Sequence, residues 1–422
     1  MKLSVVIPTN NGRRFLGPCL EALARTQLPS GAQLETIVVD SGSSDGTERL
    51  LARHPEVKVV KFSSSVGFAR ANNAARGVAT GSILCFLNND TQVEPDWIVR
   101  PLEIFARDER VVGIGSKLLF MHRYIPLRFS LPIETRLRIG RTIYRSSLDQ
   151  KIQWSGDVRE AWVQDASKVY VPLPVPNLDE GCAGTPAVQL LEVAGKLEGS
   201  TVTDSNRVSH CITRLPAIVL VDRKAPTVRL IQNAGSWIDE RYEAGDVGSG
   251  EEDQDSRYMT EEIVPALCGA AFFVRRDAVD AVGWWPDYYQ FYCEDIDLSL
   301  RLRDMGGLLV FCPSSVVNHY HAASNREHSA HFVENVARSS LLFASRYATL
   351  RVFARKTADH LRRSRNEFIA GRGSTAAAEA RGVLRAMSAL HRTLGSRMVS
   401  SSREGADPSL ISVRRRPYLS IA

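Results

Sequence analysis

The 422-residue sequence contains no run of 18 or more apolar residues. A helix needs about that length to cross a bilayer, so no transmembrane helix is expected. There is no Walker-type loop, and Gly113-Ile114-Gly115 lacks the third glycine of a dinucleotide fingerprint. No Gly-x-Ser-x-Gly elbow is present either, which removes the usual signal of an α/β serine hydrolase. The seven cysteines (19, 85, 182, 211, 268, 293 and 312) include no CxxC pair. They read as buried, reduced thiols rather than a zinc site or a disulfide frame. The apolar run that ends at Ile7 is too short for a secretory signal, and the expected location is cytoplasmic.

What is present is ordinary for a globular chain, with 44% hydrophobic and 24% charged residues. The net charge of +6 hides a division, because residues 338–422 hold 17 Lys/Arg against 5 Asp/Glu. The remainder is therefore acidic, and the two parts face different surroundings.

Residues 1–121 alternate short apolar strands with helical patterns. Leu3–Ile7, Glu35–Asp40, Val57–Phe62 and Ile83–Leu87 read as strands. Phe15, Leu16, Cys19, Leu20 and Leu23 recur at helical spacing. Helices are expected over Gly46–Arg53, with Asp45 as its cap and Glu48 as the capping partner, and over Ala69–Ala79. Pro95 suits the first turn of a further helix. This rhythm predicts an α/β fold with a mostly parallel sheet and helices on both faces, whose ligands lie at the carboxyl ends of the strands. Residues 122–228 are rich in Pro, Gly and Ser with short strand-like runs, and read as an inserted β or irregular module. Residues 229–337 return to the α/β style. From 338 onward the chain reads as basic helices, ending in a disordered tail around Ser400–Ala422.

Polar clusters follow four strands: Pro8-Thr9-Asn10-Asn11, Asp40 to Asp45, Gly67 to Asn73, and Asn88-Asn89-Asp90. An Asp closing an apolar strand, as Asp40 does, is out of place in strand chemistry and suits a ribose or pyrimidine contact. Asn10 and Asn11 suit either a helix cap or a ligand contact. The helix start near Asn11-Gly12 offers backbone N–H groups to a diphosphate, and Arg70 adds charge. Asp90 follows a fully apolar strand, where it suits either a turn or a divalent cation whose remaining ligands come from a diphosphate. Further on, Glu294, Asp295 and Asp297 crowd the start of a helix. Such crowding raises at least one carboxyl pKa, which suits a general base; the alternative is an acidic first turn favoured by the helix dipole.

Taken together, SVVIPTNN (4–11), IVVDSGSSDGT (37–47), VGFARANNAA (66–75), ILCFLNNDTQVEPDW (83–97), ALCGAAFFVRRD (266–277), FYCEDIDLSLRLRDMGG (291–307) and VVNHYH (316–321) resemble the family 2 glycosyltransferases. The resemblance is greatest to the rhamnosyltransferase-like branch of bacterial cell-surface polysaccharide synthesis. It covers roughly 1–121 and 229–345. It implies a GT-A fold and an inverting transfer of rhamnose or another hexose from a nucleotide-diphosphate sugar to a glycan or polyprenyl-linked acceptor. It implies Asp295 as general base, with Glu294 beside it binding acceptor. Thr9 and Asp40 then contact the nucleoside, Arg70 and Asn72 line the donor site, and Pro8, Asn11, Asn88 and Asn89 belong to the same surface. Asp90 matches the last acid of the family's metal motif and His319 a histidine that helps bind the metal, Mg²⁺ or Mn²⁺, or the diphosphate. Arg275 and Arg276 fall in a stretch that packs beside the acceptor, or carry surface charge only.

The motif Asn88-Asn89-Asp90 holds one acid only, so a catalytically silent glycan- or nucleotide-binding protein on the same fold is the alternative. A nucleotidyltransferase would need a Gly- and Arg-rich loop where Pro8-Thr9-Asn10-Asn11 stands. The basic helical stretch, with Leu341, Leu342, Tyr347, Leu350 and Phe353 among arginines, reads either as a membrane-surface helix or as one packed on the catalytic domain. Nucleic acid is not an expected partner, since the body is acidic and no recognition module is present.

Overall fold

The computed structural model describes residues 1–145, 151–153, 161–163, 168–173, 185–254, 256–321 and 329–394. Cys182 and the segment Ser400–Ala422 lie outside the described residues. The chain divides into two compact units. The first contains Met1–Leu119, Gln232–Ser249 and the described residues from 256 onward; the second contains Phe120–Ile231 and Gly250–Gln254.

The first unit is built on a large sheet. Its strands are β1 (Lys2–Thr9), β2 (Gln33–Ser41), β3 (Lys58–Phe62), β4 (Ile83–Leu87), β5 (Thr91–Val93), β6 (Val111–Phe120), β7 (Ala271–Arg275) and β8 (Leu308–His319). The order runs β8-β6-β7-β4-β1-β2-β3, with Glu262–Ile263 beyond β8 and β5 paired to β8. β3, β2, β1 and β4 are mutually parallel. β7 is antiparallel to both β4 and β6. β4 is buried along its whole length, as its unbroken apolar sequence requires of a strand covered on both faces.

Alternation along these strands separates two cores. Leu3, Val5, Ile7, Cys85 and Leu87 pack with Leu16 and Leu20 of α1 (Arg13–Ala24) and Phe105 of α4 (Val99–Arg107). Phe86 points the other way, into an aromatic stack with Phe272, Trp284 and Trp285. Phe68 of α3 (Phe68–Ala74) meets Trp285 edge-on. Helices therefore cover both faces, in the α/β class that the strand rhythm predicts.

Several local expectations need correction. Helix α2 spans only Thr47–Leu51 and begins after Gly46. Asp45 accepts from the Thr47 backbone N–H and hydroxyl, but its other oxygen accepts from the Arg13 N–H of α1, so it ties two helix starts together. Glu48 is no capping partner; it pairs with Lys61. Pro95 precedes α4 by four positions, and its carbonyl accepts from Gln27 instead. Cys211 is exposed, whereas Cys19, Cys85 and Cys312 are buried as expected.

The C-terminal helices of this unit are α5 (Arg276–Val282), α6 (Glu294–Asp304), α7 (Ala330–Tyr347), α8 (Leu350–Ile369), α9 (Gly373–Ala389) and α10 (His391–Leu394). Ser329 and Thr349 cap α7 and α8 through their hydroxyls. The sequence pattern of α7 suits a membrane surface, but the helix is a core element. Leu341, Leu342, Phe343 and Tyr347 are buried, and so are Arg338 and Arg346. Arg338 donates to the Tyr288 carbonyl, and Arg346 to the Tyr288 hydroxyl. α9 presses on α7 at Gly382, where a Cβ would lie 2.6 Å from the Glu334 carbonyl oxygen, closer than real contacts allow. Buried His360 joins the three helices, with Nε2 2.8 Å from Ser340 Oγ and Nδ1 2.6 Å from Glu379. No helix among the described residues is long and apolar enough to cross a membrane.

The second unit has its own core, formed by Ile125, Leu127, Phe129, Leu137, Val171, Val188, Leu190 and Val202 among others. These side chains come from two sheets. One contains Arg136–Arg145 and Thr185–Ala194; the other contains Tyr124–Ser130, Lys168–Pro172 and Thr201–Thr203.

Candidate active site

The carboxyl ends of β1, β2 and β4 lie on one edge of the sheet, because the three strands are parallel neighbours. Thr9 ends β1 and is 4% exposed; its Oγ1 accepts from Asn89 Nδ2 at 2.8 Å. The two clusters named from sequence are thus joined side chain to side chain. Gly12 sits against this bond. A Cβ there would lie 1.9 Å from Asn89 Nδ2 and 2.5 Å from Thr9 Oγ1, so only glycine leaves the pair intact. Pro8 is half-buried beside them.

Asn11 is exposed at φ +51°, and its Oδ1 accepts from the Ser44 amide at 2.8 Å. It is a loop clamp in this geometry. The Asn11 and Arg13 amides, offered by the sequence to a diphosphate, are already used by Ser43 Oγ and Asp45. Asp40 is buried at the end of β2, with Oδ1 accepting from the Ser43 amide at 3.0 Å.

On α3 the expected residues separate. Arg70 is exposed. Asn72 is fully buried, with Nδ2 turned back to the Phe68 carbonyl at 3.1 Å and Oδ1 without a hydrogen-bond partner. It lines no open surface. Its neighbour Asn73 was not singled out by sequence, yet it clamps the Trp285 backbone by two bonds, of 2.8 and 3.0 Å.

β4 leads into Asn88-Asn89-Asp90. Short β5 follows at once and pairs antiparallel with the end of β8, setting Thr91 opposite His319. This register brings Asp90 Oδ1 to 3.0 Å from His319 Nε2, with both residues buried. His319 Nδ1 lies 2.7 Å from Gln232 Oε1. An amide oxygen only accepts, so Nδ1 carries the proton. Nε2 of a neutral ring then faces a carboxylate oxygen, lone pair to lone pair, and a proton or a cation must lie between them. Burial pushes the Asp90 carboxyl up, but the charge and hydrogen bond of His319 and the charge of His321 outweigh it and hold the carboxyl below its ordinary value. An imidazole nitrogen, a carboxylate and an orienting amide behind the imidazole fit a divalent cation that takes its other ligands from a diphosphate. Among the described residues no group of three or more His, Cys, Asp or Glu could hold a metal unaided.

The second cluster is tied to the first through the sheet. Because β7 runs antiparallel to β4, its start lies beside the end of β4, and the Asn88 amide donates to the Ala270 carbonyl at 2.8 Å. The adjacent Gly269 amide donates to Asp295 Oδ2 at 2.8 Å. Asp295 Oδ1 accepts from the Ile296 amide at 2.9 Å. Just before α6, Tyr292 and Cys293 are both in the left-handed region, at φ +71° and +67°. Such backbone is unfavourable for non-glycine residues and concentrates at functional sites. Glu294 is buried, and its Oε2 has no hydrogen-bond partner. Burial, and then the Asp295 charge, push the Glu294 carboxyl up to about 8. Burial also raises Asp295, against its two backbone hydrogen bonds. The expected elevation is present, but desolvation rather than crowding is its larger cause.

Asp297, the third acid, is neither a ligand nor a mere dipole partner. Fully buried, it accepts from Tyr288 at 2.9 Å, Tyr289 at 3.3 Å and Arg301 at 2.7 Å. It is the hub that fixes α6. Arg275 and Arg276 also leave the site. They lie at the far end of β7, where Arg275 binds the Phe105, Asp108 and Val111 carbonyls and Arg276 binds those of Ala79 and Arg76.

Residues 4–147 match the model of the family described as Glycosyl transferase family 2. The match continues into the first strands of the second unit. An uncharacterized glycosyltransferase of Nostoc is 31% identical over 123 residues, covering 28% of this chain and 37% of that protein. An N-acetylglucosaminyl-diphospho-decaprenol L-rhamnosyltransferase of Mycobacterium tuberculosis is 25% identical over 262 residues, covering 59% of this chain and 76% of that protein. Among solved structures, GalNAc-T7 with UDP, GalNAc and Mn²⁺ aligns with a TM-score of 0.48 at 14% identity. That alignment covers 87% of this chain and 51% of that one.

Proposed function

We propose that the chain is an inverting glycosyltransferase that moves a hexose, rhamnose or another, from a nucleotide-diphosphate donor to a glycan or polyprenyl-linked acceptor. The observation that carries this reading is the hydrogen bond from the Gly269 amide to Asp295, beside the bond from Asn88 to Ala270. Together they set a carboxylate of raised pKa next to the Asn88-Asn89-Asp90 end of the parallel strands.

In the proposed reaction Asp295 accepts the proton of an acceptor hydroxyl. The oxygen forms a bond to the sugar's C1 as the C1–O bond to the diphosphate breaks on the opposite face. Held between Gly269 and Ile296, the carboxylate keeps one orientation toward the acceptor. Glu294 meets the acceptor as a neutral donor when protonated. Asp40 and the Thr9–Asn89 pair shape the nucleoside end, and exposed Arg70 meets the phosphates. Asp90 and His319 would hold Mg²⁺ or Mn²⁺, which stabilises the departing diphosphate's charge. A polyprenyl-linked acceptor sets the reaction at the cytoplasmic face of the membrane, in cell-surface polysaccharide synthesis.

A panel of dTDP-rhamnose, UDP-glucose, UDP-galactose and GDP-mannose tests the reading, with Mn²⁺ or Mg²⁺ and a polyprenyl-diphosphate-linked sugar as acceptor. Release of nucleoside diphosphate from one donor, with a product whose anomeric configuration is inverted by NMR, is the expected result. Binding of a nucleotide sugar with no turnover on any acceptor supports the silent binding protein instead.

A further inference from the structure

The outer face of α8 carries a charge pattern that the catalytic reading does not use. At about 100° per residue, its exposed positions span an arc of roughly 220°, from Leu350 and Phe368 at one edge to Arg363 at the other. Along one side of this arc lie Leu350, Leu361 and Phe368, which are 68%, 50% and 72% exposed. The rest carries Arg351, Arg355, Arg362, Arg363 and Arg365 together with exposed Ile369, with Ala354, Ala358 and Asn366 between them. One carboxylate of α8 lies within this arc, Asp359, and it pairs with Arg362 at 3.0 Å; Glu367 lies on the inner side. The inner face is satisfied within the fold, through Lys356 on the Tyr242 carbonyl, His360 on Glu379 and Ser364 on the Ala376 carbonyl.

We infer that this face of α8 docks on an anionic lipid bilayer. Aliphatic and aromatic side chains that gain nothing from water enter the boundary of the acyl layer, while the flanking arginines meet lipid phosphates. A second copy of the chain is a poor occupant. In an isologous contact the five arginines of each copy would oppose one another with Asp359 as the one carboxylate of the arc to offset them. A nucleic acid would satisfy the arginines but offers no apolar surface to Leu361 and Ile369. The inference is independent of the catalytic assignment, since its readout needs neither donor nor acceptor.

The test is flotation of the full chain with vesicles of phosphatidylcholine alone, or with added phosphatidylglycerol. The wild type should float with the anionic vesicles only, and high salt should release it. Arg355→Gln with Arg362→Gln should lower partitioning about 25-fold, at about fivefold for each charge, and the corresponding pair of lysine substitutions should restore it. Leu361→Ser with Phe368→Ser should also reduce flotation. All these positions are exposed, so melting temperature and nucleoside-diphosphate release should stay at wild-type values. Equal flotation with neutral vesicles overturns the inference, as does wild-type flotation of the charge variant. A wild-type dimer that Phe368→Ser dissociates, or binding of RNA but not of vesicles, does the same.

Discussion

Asp90 Oδ1 and His319 Nε2 lie 3.0 Å apart although 229 positions separate them in sequence. The pairing of a three-residue strand with the last residues of β8 closes that distance. Gln232 completes the arrangement from behind by fixing the imidazole tautomer. Loss of such an orienting partner typically costs about 10- to 100-fold in metal affinity. Gln232→Ala should therefore raise the Mn²⁺ concentration for half-maximal activity by that factor, with donor KM little changed at saturating metal. An unchanged metal dependence would show that Gln232 orients nothing of consequence.

The pair Glu294–Asp295 predicts a pH signature. A base must be deprotonated to act, and burial raises the Asp295 carboxyl above its ordinary value. The acid limb of kcat/KM should consequently lie above the ordinary carboxylate range of about 4. Activity should rise with pH through that limb and vanish below it. A limb at an unperturbed carboxylate pKa contradicts the assignment.

Glu294 has a stability consequence of definite sign. Its folded pKa of about 8 exceeds the ordinary glutamate value of 4.5, so the folded state binds more protons between those values. Stability contributed by the neutral carboxyl is present at pH 4.5 and is lost as pH rises through 8. Glu294→Gln should then be more stable than the wild type at pH 8.5 and gain little at pH 5. Melting curves at the two pH values measure the difference.

Asp297 is expected to be structural. Replacing it with alanine takes one acceptor from Arg301 and from the Tyr288 and Tyr289 hydroxyls, and the paired charge from Arg301 and Arg346. Breaking a buried pair from one side typically costs about 3–5 kcal/mol. Chemical denaturation should show a loss of that order for Asp297→Ala. Exposed Arg70→Ala should leave stability unchanged and weaken donor use.

Gly12→Ala separates positioning from folding. The new methyl meets Asn89 Nδ2, the far end of a flexible side chain that can swing away, and also Oγ1 of buried Thr9, which must shift. Some stability should be lost, while the Thr9–Asn89 bond is broken and donor KM rises several-fold. A variant that unfolds instead would assign Gly12 to the fold alone.

The residues legible from sequence were those whose pattern repeats locally. The strand–helix rhythm of the first 90 residues marks β1 to β4 within a few positions, and apolar β4 is matched end to end. The clusters that follow β1, β2 and β4 lie on one edge, as parallel strands dictate, whereas α3 buries Asn72 and leaves Arg70 exposed. What was not legible depends on partners far along the chain. Gln232 and Asn73 carry no local signal, since each acts through a residue brought near only by packing, and Asp297 reads only as one of three crowded acids. α7 left two readings open for the same reason, and the packed one holds. Its arginines resemble a solvated face until Tyr288 supplies a buried carbonyl and a hydroxyl to receive them.

The most direct test of the central claim compares the wild type with Asp295→Asn, which keeps the shape and an oxygen for the Gly269 amide. Donor binding is measured by calorimetry and nucleoside-diphosphate release by a coupled assay with acceptor present. The account predicts binding within about twofold of wild type and turnover lowered by at least about 10²-fold, the range of a lost general base. Turnover at the wild-type rate in Asp295→Asn would contradict it.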